Sequence, residues 1–205
     1  SEMCIRDRNS FPAPELFCFS KRPSHQLKEG GASRAIYELS QHNLLKLPGS
    51  ERNIWKTVVE KFDSFEFRSF LLEKFWKTLK DRRQDEPDLD FSKLLLSVAL
   101  TRDTHAYEIL PHPDTPRKVI TLQIYLADDT SLMDQGTSIY RKAAEGDYEK
   151  IHTFDFLPNT GWCFAVTNNS YHGKQCSNRP YDHQRRMSLL VFYYQELDGK
   201  PVWNI

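Results

Sequence analysis

Two segments of the sequence carry side chains that commonly bind metal ions, each at the end of an apolar stretch. His112 and Asp114 stand in the segment Leu-Pro-His-Pro-Asp, and His172 lies beyond the apolar segment Trp162 to Val166. Side chains two residues apart in an extended chain project to the same side, so His112 and Asp114 can take adjacent positions on one metal ion. The glycine after His172 lets the backbone pass close by. Together these residues offer two imidazoles and one carboxylate to a common site.

This ligand set is typical of a metal site with open positions. Two histidines and one carboxylate suit non-haem Fe(II), which must also bind a bidentate co-substrate and dioxygen, although zinc accepts the same ligand types. A third segment favours iron. Arg186 opens the last apolar strand and Ser188 points to the same face, so the pair can grip a carboxylate that a hydrolytic zinc site does not need. Strand alternation allows only one of Arg185 and Arg186 to face inward, and the Arg-x-Ser form selects Arg186.

The order of these segments along the chain carries a family resemblance. Six landmarks follow one another: His112-x-Asp114, Tyr125-Leu126 at the end of an apolar strand, Gly136-Thr137, Pro158-Asn159, His172-Gly173 and Arg186-x-Ser188. This order resembles the Fe(II)/2-oxoglutarate-dependent dioxygenase superfamily, in particular its prolyl-hydroxylase-like and small-molecule hydroxylase members. The resemblance runs from about residue 107 to residue 194, under half of the chain. A His-x-Asp pair alone would be a weak signal.

The resemblance implies a fold that is mainly β with flanking helices, a cupin-like double-stranded β-helix or jelly roll with the metal at its open end. It implies Fe(II) bound by His112, Asp114 and His172, with 2-oxoglutarate as co-substrate and dioxygen as the second co-substrate. It also implies that Arg186 and Ser188 bind the distal carboxylate of 2-oxoglutarate.

Two tyrosines are assigned to the co-substrate pocket by the same resemblance. Tyr125 stands where prolyl-hydroxylase-like proteins place a tyrosine toward the distal carboxylate, and Tyr107 precedes the His-x-Asp pair and lines the pocket. The implied reaction hydroxylates an unactivated C–H bond while 2-oxoglutarate becomes succinate and carbon dioxide. The substrate expected first is a small polar metabolite, such as a free amino acid or a biosynthetic intermediate. The alternatives are a peptidyl or protein residue hydroxylase and a non-catalytic, cupin-type protein that binds metal or 2-oxoglutarate.

The composition narrows the class of partner. Lys+Arg and Asp+Glu both number 28, so the formal net charge is zero. Such a chain has no basic field to draw it to nucleic acid or to an anionic membrane, which leaves a small-molecule partner. The four cysteines have no paired Cys-x-x-Cys spacing, which indicates a reducing, cytoplasmic compartment. No pattern in the sequence selects an oligomeric state.

The chain is expected to form one domain. Residues 1–8 have neither a helical nor a strand period, and we expect a non-native or disordered leader there, with the natural chain starting further upstream if it is non-native. The oxygenase domain then spans 9–205, with a helical N-terminal support over about 32–86 and a jelly-roll core over about 92–196.

The helical support is predicted from apolar spacing and capping signals. A short helix is expected at Ala32 to Gln41, and a longer one from Ser50 to Phe62. Asp63 and Glu66 have the form of a capping box that opens a second amphipathic helix. The charged run Lys80 to Glu86 should end that helix and form a solvated loop.

The second half of the chain is predicted to be all β. Short segments rich in β-branched and aromatic residues alternate with turn signals such as Asp128-Asp129 and Pro158-Asn159. The predicted strands are Leu94 to Leu100, Ala106 to Leu110, Lys118 to Leu126, Thr137 to Arg141, Ile151 to Leu157, Gly161 to Thr167 and Arg186 to Gln195.

Several other reactive residues receive a structural interpretation. The histidines expected to be structural are His105, His152 and His183. Cys163 is expected to be a small core residue rather than a nucleophile. The residues that remain open between substrate contact and a surface or packing role are Arg102, Asp103, Asn168 and Trp203.

Overall fold

The computed structural model describes most of the chain. The described residues are 10–21, 25–27, 32–85, 89–144, 146–181 and 186–195. The predicted leader and four residues considered above, Glu86, His183, Arg185 and Trp203, lie outside these ranges. Within the described residues no helix is long and apolar enough to cross a membrane.

Ten strands and four helices form the described fold. The strands are β1 (Cys18–Phe19), β2 (Arg34–Glu38), β3 (Leu95–Asp103), β4 (Ile109–His112), β5 (Lys118–Tyr125), β6 (Ser138–Lys142), β7 (Tyr148–Thr153), β8 (Gly161–Ala165), β9 (His172–Lys174) and β10 (Arg186–Tyr194). The helices are α1 (Gln41–Leu44), α2 (Gly49–Asp63), α3 (Phe65–Lys74) and α4 (Trp76–Asp85). Single 3-10 turns lie at Pro14–Leu16, Phe91–Lys93 and Met133–Gln135.

The strands form two antiparallel sheets. The large sheet has the order β1-β2-β3-β10-β5-β8, and the small sheet has the order β4-β9-β6-β7. Strands distant in sequence are neighbours in both sheets, and residues of both sheets line one cavity between them. Two facing antiparallel sheets with such crossings are the jelly-roll arrangement, and the predicted fold class is confirmed.

Strand β10 lies in the centre of the large sheet, and its side chains alternate between the two faces of the sheet. It pairs with β3 on one side and with β5 on the other, and eight of its nine residues are buried. Alternate residues Met187, Leu189, Val191 and Tyr193 belong to the main core, which also contains the buried side chains of the helices. On the opposite face of β10, Arg186, Leu190 and Phe192 line the cavity between the sheets. The helices therefore cover the outer face of the large sheet, as predicted.

The long helices are attached to the sheet by both packing and polar contacts. Helix α2 buries Trp55, Val58 and Phe62. The Tyr193 hydroxyl of β10 donates to the carbonyl oxygen of Phe62 at 2.6 Å. Helix α3 begins after Ser64, whose hydroxyl accepts a hydrogen bond from the amide of Phe67, so the capping residue is Ser64 and not Asp63 as predicted.

The predicted short helix at Ala32 to Gln41 is wrong. Residues Arg34–Glu38 form strand β2, which pairs with β3, and the helical support begins at Gln41 instead of residue 32. The alternation explains the strand, because Ala35 and Tyr37 lie in the main core while Ile36 faces the cavity side. Pairing with β3 gives the backbone of β2 its hydrogen-bond partners, and a five-residue sequence pattern does not indicate this pairing.

The prediction of one helix followed by a charged loop is also wrong. The helix is interrupted at Phe75, and the second piece, α4, continues through the charged run to Asp85. Arg82 explains why this run packs on the protein as a helix, since this residue is 6% exposed while Lys80 and Asp81 beside it are exposed. Its guanidinium donates to the carbonyl oxygens of Lys118 at 2.7 Å and Val166 at 2.9 Å, and also to that of Pro116. One arginine thus fastens α4 to the chain around the start of β5 and just beyond the end of β8.

The strand predictions hold in the centre of the sheet and shift at its margins. A strand was predicted at Ala106 to Leu110, and the observed strand β4 is Ile109–His112. A strand was predicted at Ile151 to Leu157, and the observed strand β7 is Tyr148–Thr153. The three-residue strand β9 was not predicted, because it is too short to show a period.

Replacing Arg82 with methionine should lower the free energy of unfolding by about 2 to 4 kcal/mol, because buried carbonyl oxygens lose their donors. Urea denaturation followed by circular dichroism measures the change. The matched control is Lys80→Met on the exposed side of α4, which should change stability by less than about 0.5 kcal/mol. Equal stability of the two variants would contradict this role of Arg82.

Candidate metal centre

The three predicted metal ligands come together at one end of the small sheet. His112 ends β4 and His172 begins β9, and the two are direct partners in the antiparallel pairing of these strands. Their ring centroids are 4.6 Å apart. Asp114 lies two residues beyond the end of β4, and one ligand atom from each of the three residues falls within 4.8 Å of the others. The geometry is therefore that of a compact two-histidine, one-carboxylate cluster.

Both histidines are oriented by backbone carbonyl groups. Nδ1 of His112 lies 2.8 Å from the carbonyl oxygen of Leu110, and Nδ1 of His172 lies 3.1 Å from that of Ser170. A carbonyl only accepts, so Nδ1 carries a proton in each ring and Nε2 is the nitrogen that can bind a metal. Burial lowers the pKa of His172 to about 4, against the opposing effect of Asp114, so His172 is neutral at pH 7.

The carboxylate of Asp114 is buried and receives a hydrogen bond on each oxygen. Oδ1 accepts from Nζ of Lys118 at 2.6 Å, and Oδ2 accepts from the hydroxyl of Thr121 at 2.6 Å. Burial by itself raises the pKa of Asp114, but Lys118 and His172 outweigh it and lower the pKa to about 2. Asp114 is therefore ionised at neutral pH. Two imidazoles and an ionised carboxylate are the donor set expected for non-haem Fe(II), and these residues fit the ion.

A row of charged side chains crosses the large sheet on the cavity side. Arg34 and Arg186 are both direct strand partners of Asp103, on β2 and β10 respectively. The guanidinium of Arg34 donates to Asp103 Oδ1 at 2.6 Å and to Oδ2 at 2.8 Å, and Arg186 donates to Oδ2. Burial raises the pKa of Asp103, but the two arginines prevail and lower it. The ionised carboxylate of Asp103 holds the guanidinium groups of Arg34 and Arg186 together, and we call this part of the cavity its cationic end.

The cationic end of the cavity carries more positive than negative charge. Nζ of Lys174 donates to Oε1 of Gln135 at 2.9 Å, and burial together with Arg186 lowers the pKa of Lys174 to about 7. Arg186 also donates to the carbonyl oxygen of Gln135 at 2.8 Å. Two guanidinium groups and an amine thus stand against the single carboxylate of Asp103. An entering anion would be favoured here, because it would balance charge that is removed from water.

The predicted co-substrate residues lie on or beside the same surface. The Ser188 side chain is fully buried, and its hydroxyl has no hydrogen-bond partner within the described residues. It lies on the face of β10 that carries Arg186 and is the direct strand partner of Tyr125. The Tyr125 hydroxyl accepts from the amide of Thr137 at 2.8 Å and from Nε1 of Trp162 at 2.9 Å. Tyr125 therefore braces two residues that line the cavity.

Tyr107 lies under the arginine row and lines the cavity. The guanidinium carbon of Arg34 is 3.9 Å from the centroid of the Tyr107 ring, and that of Arg186 is 5.8 Å from it. The ring thus stacks against the cations that Asp103 holds. Apolar side chains of the large sheet, Ile36 and Leu190 among them, also line the cavity.

The residues left open by the sequence take different positions. Asp103 is part of the arginine row, whereas Arg102 points to the opposite face, where it donates to the carbonyl oxygen of Pro12 at 2.8 Å. Asn168 is exposed. Cys163 is half-buried on β8, and burial raises the pKa of its thiol, as a structural cysteine requires.

Sequence reasoning missed the basic and polar residues that support the site. The missed residues are Arg34, Lys118, Thr121, Gln135 and Lys174. Strand alternation from Tyr125 back to Thr121 was a usable signal, since both lie on one face of β5. The other four required the pairing of strands.

Comparison with solved structures finds several similar chains. A prolyl-4-hydroxylase from Pseudomonas putida is 11% identical, with 95% of this chain and 85% of that chain covered and a TM-score of 0.55. The Fe(II)/(alpha)ketoglutarate-dependent dioxygenase TqaL is 12% identical over 94% of this chain and 74% of that chain, with a TM-score of 0.46. An IDO from Bacillus thuringiensis is 14% identical over 95% and 83%, with a TM-score of 0.48.

The chain has the fold of the Pseudomonas putida prolyl-4-hydroxylase. The resemblance drawn from the six landmarks is therefore confirmed at the level of the fold. No protein-family model matches the chain. No curated protein matches it either.

Replacing Asp103 with asparagine should lower the free energy of unfolding by about 3 to 5 kcal/mol at pH 7, because two buried guanidinium groups lose their counter-charge. The folded pKa of Asp103 lies below its unfolded value, so its contribution is complete above about pH 4 and is lost as the pH falls through the folded pKa. Urea denaturation at several pH values should show the gap between wild type and variant narrowing below about pH 4. The exposed control Asp147→Asn should show no such gap.

Proposed function

We propose that this protein is an Fe(II)- and 2-oxoglutarate-dependent oxygenase that hydroxylates an unactivated C–H bond of a small polar metabolite, with a free amino acid or biosynthetic intermediate expected first. The observation that carries the proposal is a single cavity with two matched ends. One end presents the compact cluster of His112, Asp114 and His172, and the other presents Arg186. A keto diacid needs both a metal for its keto acid end and a cation for its distal carboxylate.

The polar groups at the cationic end support 2-oxoglutarate as the anion. Arg186 and Lys174 bring positive charge that Asp103 only partly balances. Ser188 adds a buried hydroxyl without a partner in the described protein, which is costly unless a ligand accepts its hydrogen bond. A carboxylate bound here would satisfy the hydroxyl and the surplus charge together.

The side chains of the site would have two separate roles, metal binding and co-substrate binding. His112, Asp114 and His172 would hold iron, while Arg186 and Ser188 would orient the co-substrate. Iron with 2-oxoglutarate and dioxygen supplies the oxidising power for C–H hydroxylation, with succinate and carbon dioxide as co-products. The protein keeps His172 neutral and Asp114 ionised, and the aromatic side chains of Trp162 and Phe192 line the cavity beside the proposed centre.

The competing functions predict different products. A small-molecule hydroxylase should show substrate-stimulated formation of succinate with free amino acids or related metabolites. A peptidyl hydroxylase should respond to peptides instead. A non-catalytic binding protein should retain Fe(II) or 2-oxoglutarate and form no succinate with any member of either panel.

The decisive experiment is succinate formation. Protein loaded anaerobically with Fe(II) and 2-oxoglutarate should form succinate on admission of air, and the substrate panel should raise the rate. Asp114→Asn keeps the shape of the side chain but removes its charge, so succinate formation should fall to background while circular dichroism stays that of the folded protein. The exposed control Ser50→Ala should retain wild-type turnover. Undiminished turnover in Asp114→Asn would remove Asp114 from the ligand set.

Ser188→Ala separates co-substrate binding from folding. Because the hydroxyl has no partner in the described protein, its removal should not lower the thermal unfolding temperature. If the hydroxyl donates to the distal carboxylate of 2-oxoglutarate, KM for 2-oxoglutarate should rise roughly tenfold. Steady-state succinate assays give KM, and an unchanged KM would exclude Ser188 from the co-substrate site.

A further inference from the structure

We infer that Lys118, together with Thr121, is a positioning residue for the proposed metal ligand Asp114, fixing the rotation of its carboxylate so that one oxygen faces the two imidazoles. The inference rests on the proposed metal site and assigns a role that the six landmarks do not contain. Neither residue belongs to the ligand set. Both act through the carboxylate that they contact.

Asp114 needs such support because the fold provides little of its own. It lies beyond the last residue of β4, between Pro113 and the turn that opens β5, so no strand pairing restrains it. Its side chain also borders two cavities, the one between the sheets and a second one lined by Arg82 and Asn168. A carboxylate that borders two cavities has fewer packing contacts to restrain its rotation than one enclosed on every side. Its hydrogen bonds therefore contribute much of its orientation.

The two histidines are restrained differently. Each has its Nδ1 directed to a backbone carbonyl oxygen two residues earlier. The ring of His172 also packs against Phe164, with ring centroids 4.9 Å apart, and against Trp162 at 5.8 Å. Among the three proposed ligands, the carboxylate is the one held by side chains alone in the described contacts.

Lys118 is itself held in place and is suited to this task. Its side chain is 8% exposed, and Nζ lies 3.6 Å from the centroid of the Phe192 ring as well as 2.6 Å from Oδ1 of Asp114. Its carbonyl oxygen accepts from Arg82 at 2.7 Å. A lysine fixed by a sheet, an aromatic ring and a buried arginine loses little further entropy when it binds the carboxylate.

Thr121 completes the restraint from the other side. It is three residues further along β5 and donates to Oδ2 at 2.6 Å, so donors reach both oxygens of Asp114. Two donors fix the plane of the carboxylate, whereas one would leave it to rotate about a single contact. The orientation leaves positions on the ion for a bidentate co-substrate and dioxygen only if the carboxylate contributes one oxygen.

The test uses Co(II) as a spectroscopic probe of the metal centre. Titration of the metal-free protein with Co(II) should give a visible absorption band that His172→Ala abolishes. Lys118→Met and Thr121→Val should each change the shape and intensity of this band, because the carboxylate adopts a different binding mode. Lys118→Arg, which keeps a cationic donor, should restore a band close to that of the wild type. The control Lys142→Met replaces an exposed lysine on β6 and should leave the band unaltered.

Turnover gives a second and independent readout. At metal concentrations shown to be saturating for each variant, succinate formation should fall about 10- to 100-fold in Lys118→Met and recover in large part in Lys118→Arg. A residue that only stabilised the fold would change the urea midpoint without changing the Co(II) band. Wild-type bands in both Lys118→Met and Thr121→Val would overturn the inference.

The two proposals fail in distinguishable ways. If the wild type binds Co(II) through His172 but forms no succinate, the oxygenase proposal fails and the Co(II) bands still decide the role of Lys118. If the wild type shows no Co(II) band that depends on His172, the metal site itself is wrong, and the role of Lys118 falls with it. If turnover is normal and the bands of both variants are unchanged, the inference about Lys118 alone is refuted.

Discussion

The structure depends on the matching of buried charge around a cavity between two sheets. Charged side chains line this space or lie beside it, and two buried carboxylates among them are each paired with basic groups: Asp103 with Arg34 and Arg186, and Asp114 with Lys118. An unpaired ion in such a place would cost several kcal/mol. The pairs are therefore a condition for the fold. They leave a surplus of positive charge at one end and a ligand cluster at the other.

The parts of the site that were predictable from sequence follow local rules. His112 and Asp114 share a side because they are two residues apart, and Arg186 and Ser188 share a face of β10 for the same reason. The jelly roll followed from many short strands with turn signals, and α2 followed from its apolar period. Each of these conclusions uses residues within one segment, where chain geometry decides the outcome.

The parts of the fold and of the site that were not predicted depend on which strands become neighbours. Asp103 lies between two arginines only because β3 runs between β2 and β10 in one register, and no spacing along the chain between Arg34 and Arg186 indicates it. The wrong helix at Ala32 to Gln41 has the same origin, since pairing with β3 outweighed a weak local preference. Arg82 was assigned to solvent because its charge suggested exposure, whereas three distant carbonyl groups bury it.

The register of β10 joins stability to chemistry. Its odd-numbered residues fill the core under the helices, and three of its even-numbered residues, Arg186, Leu190 and Phe192, line the cavity, with Ser188 buried on the same face. A slip of one residue would place Met187 in the cavity and bury Arg186 among the helices. Burial of the apolar face therefore enforces the orientation of the proposed co-substrate residues. The proposed metal ligands depend in the same way on the strand pairing of His112 with His172. The register of the strands in each sheet therefore determines the geometry of the proposed site.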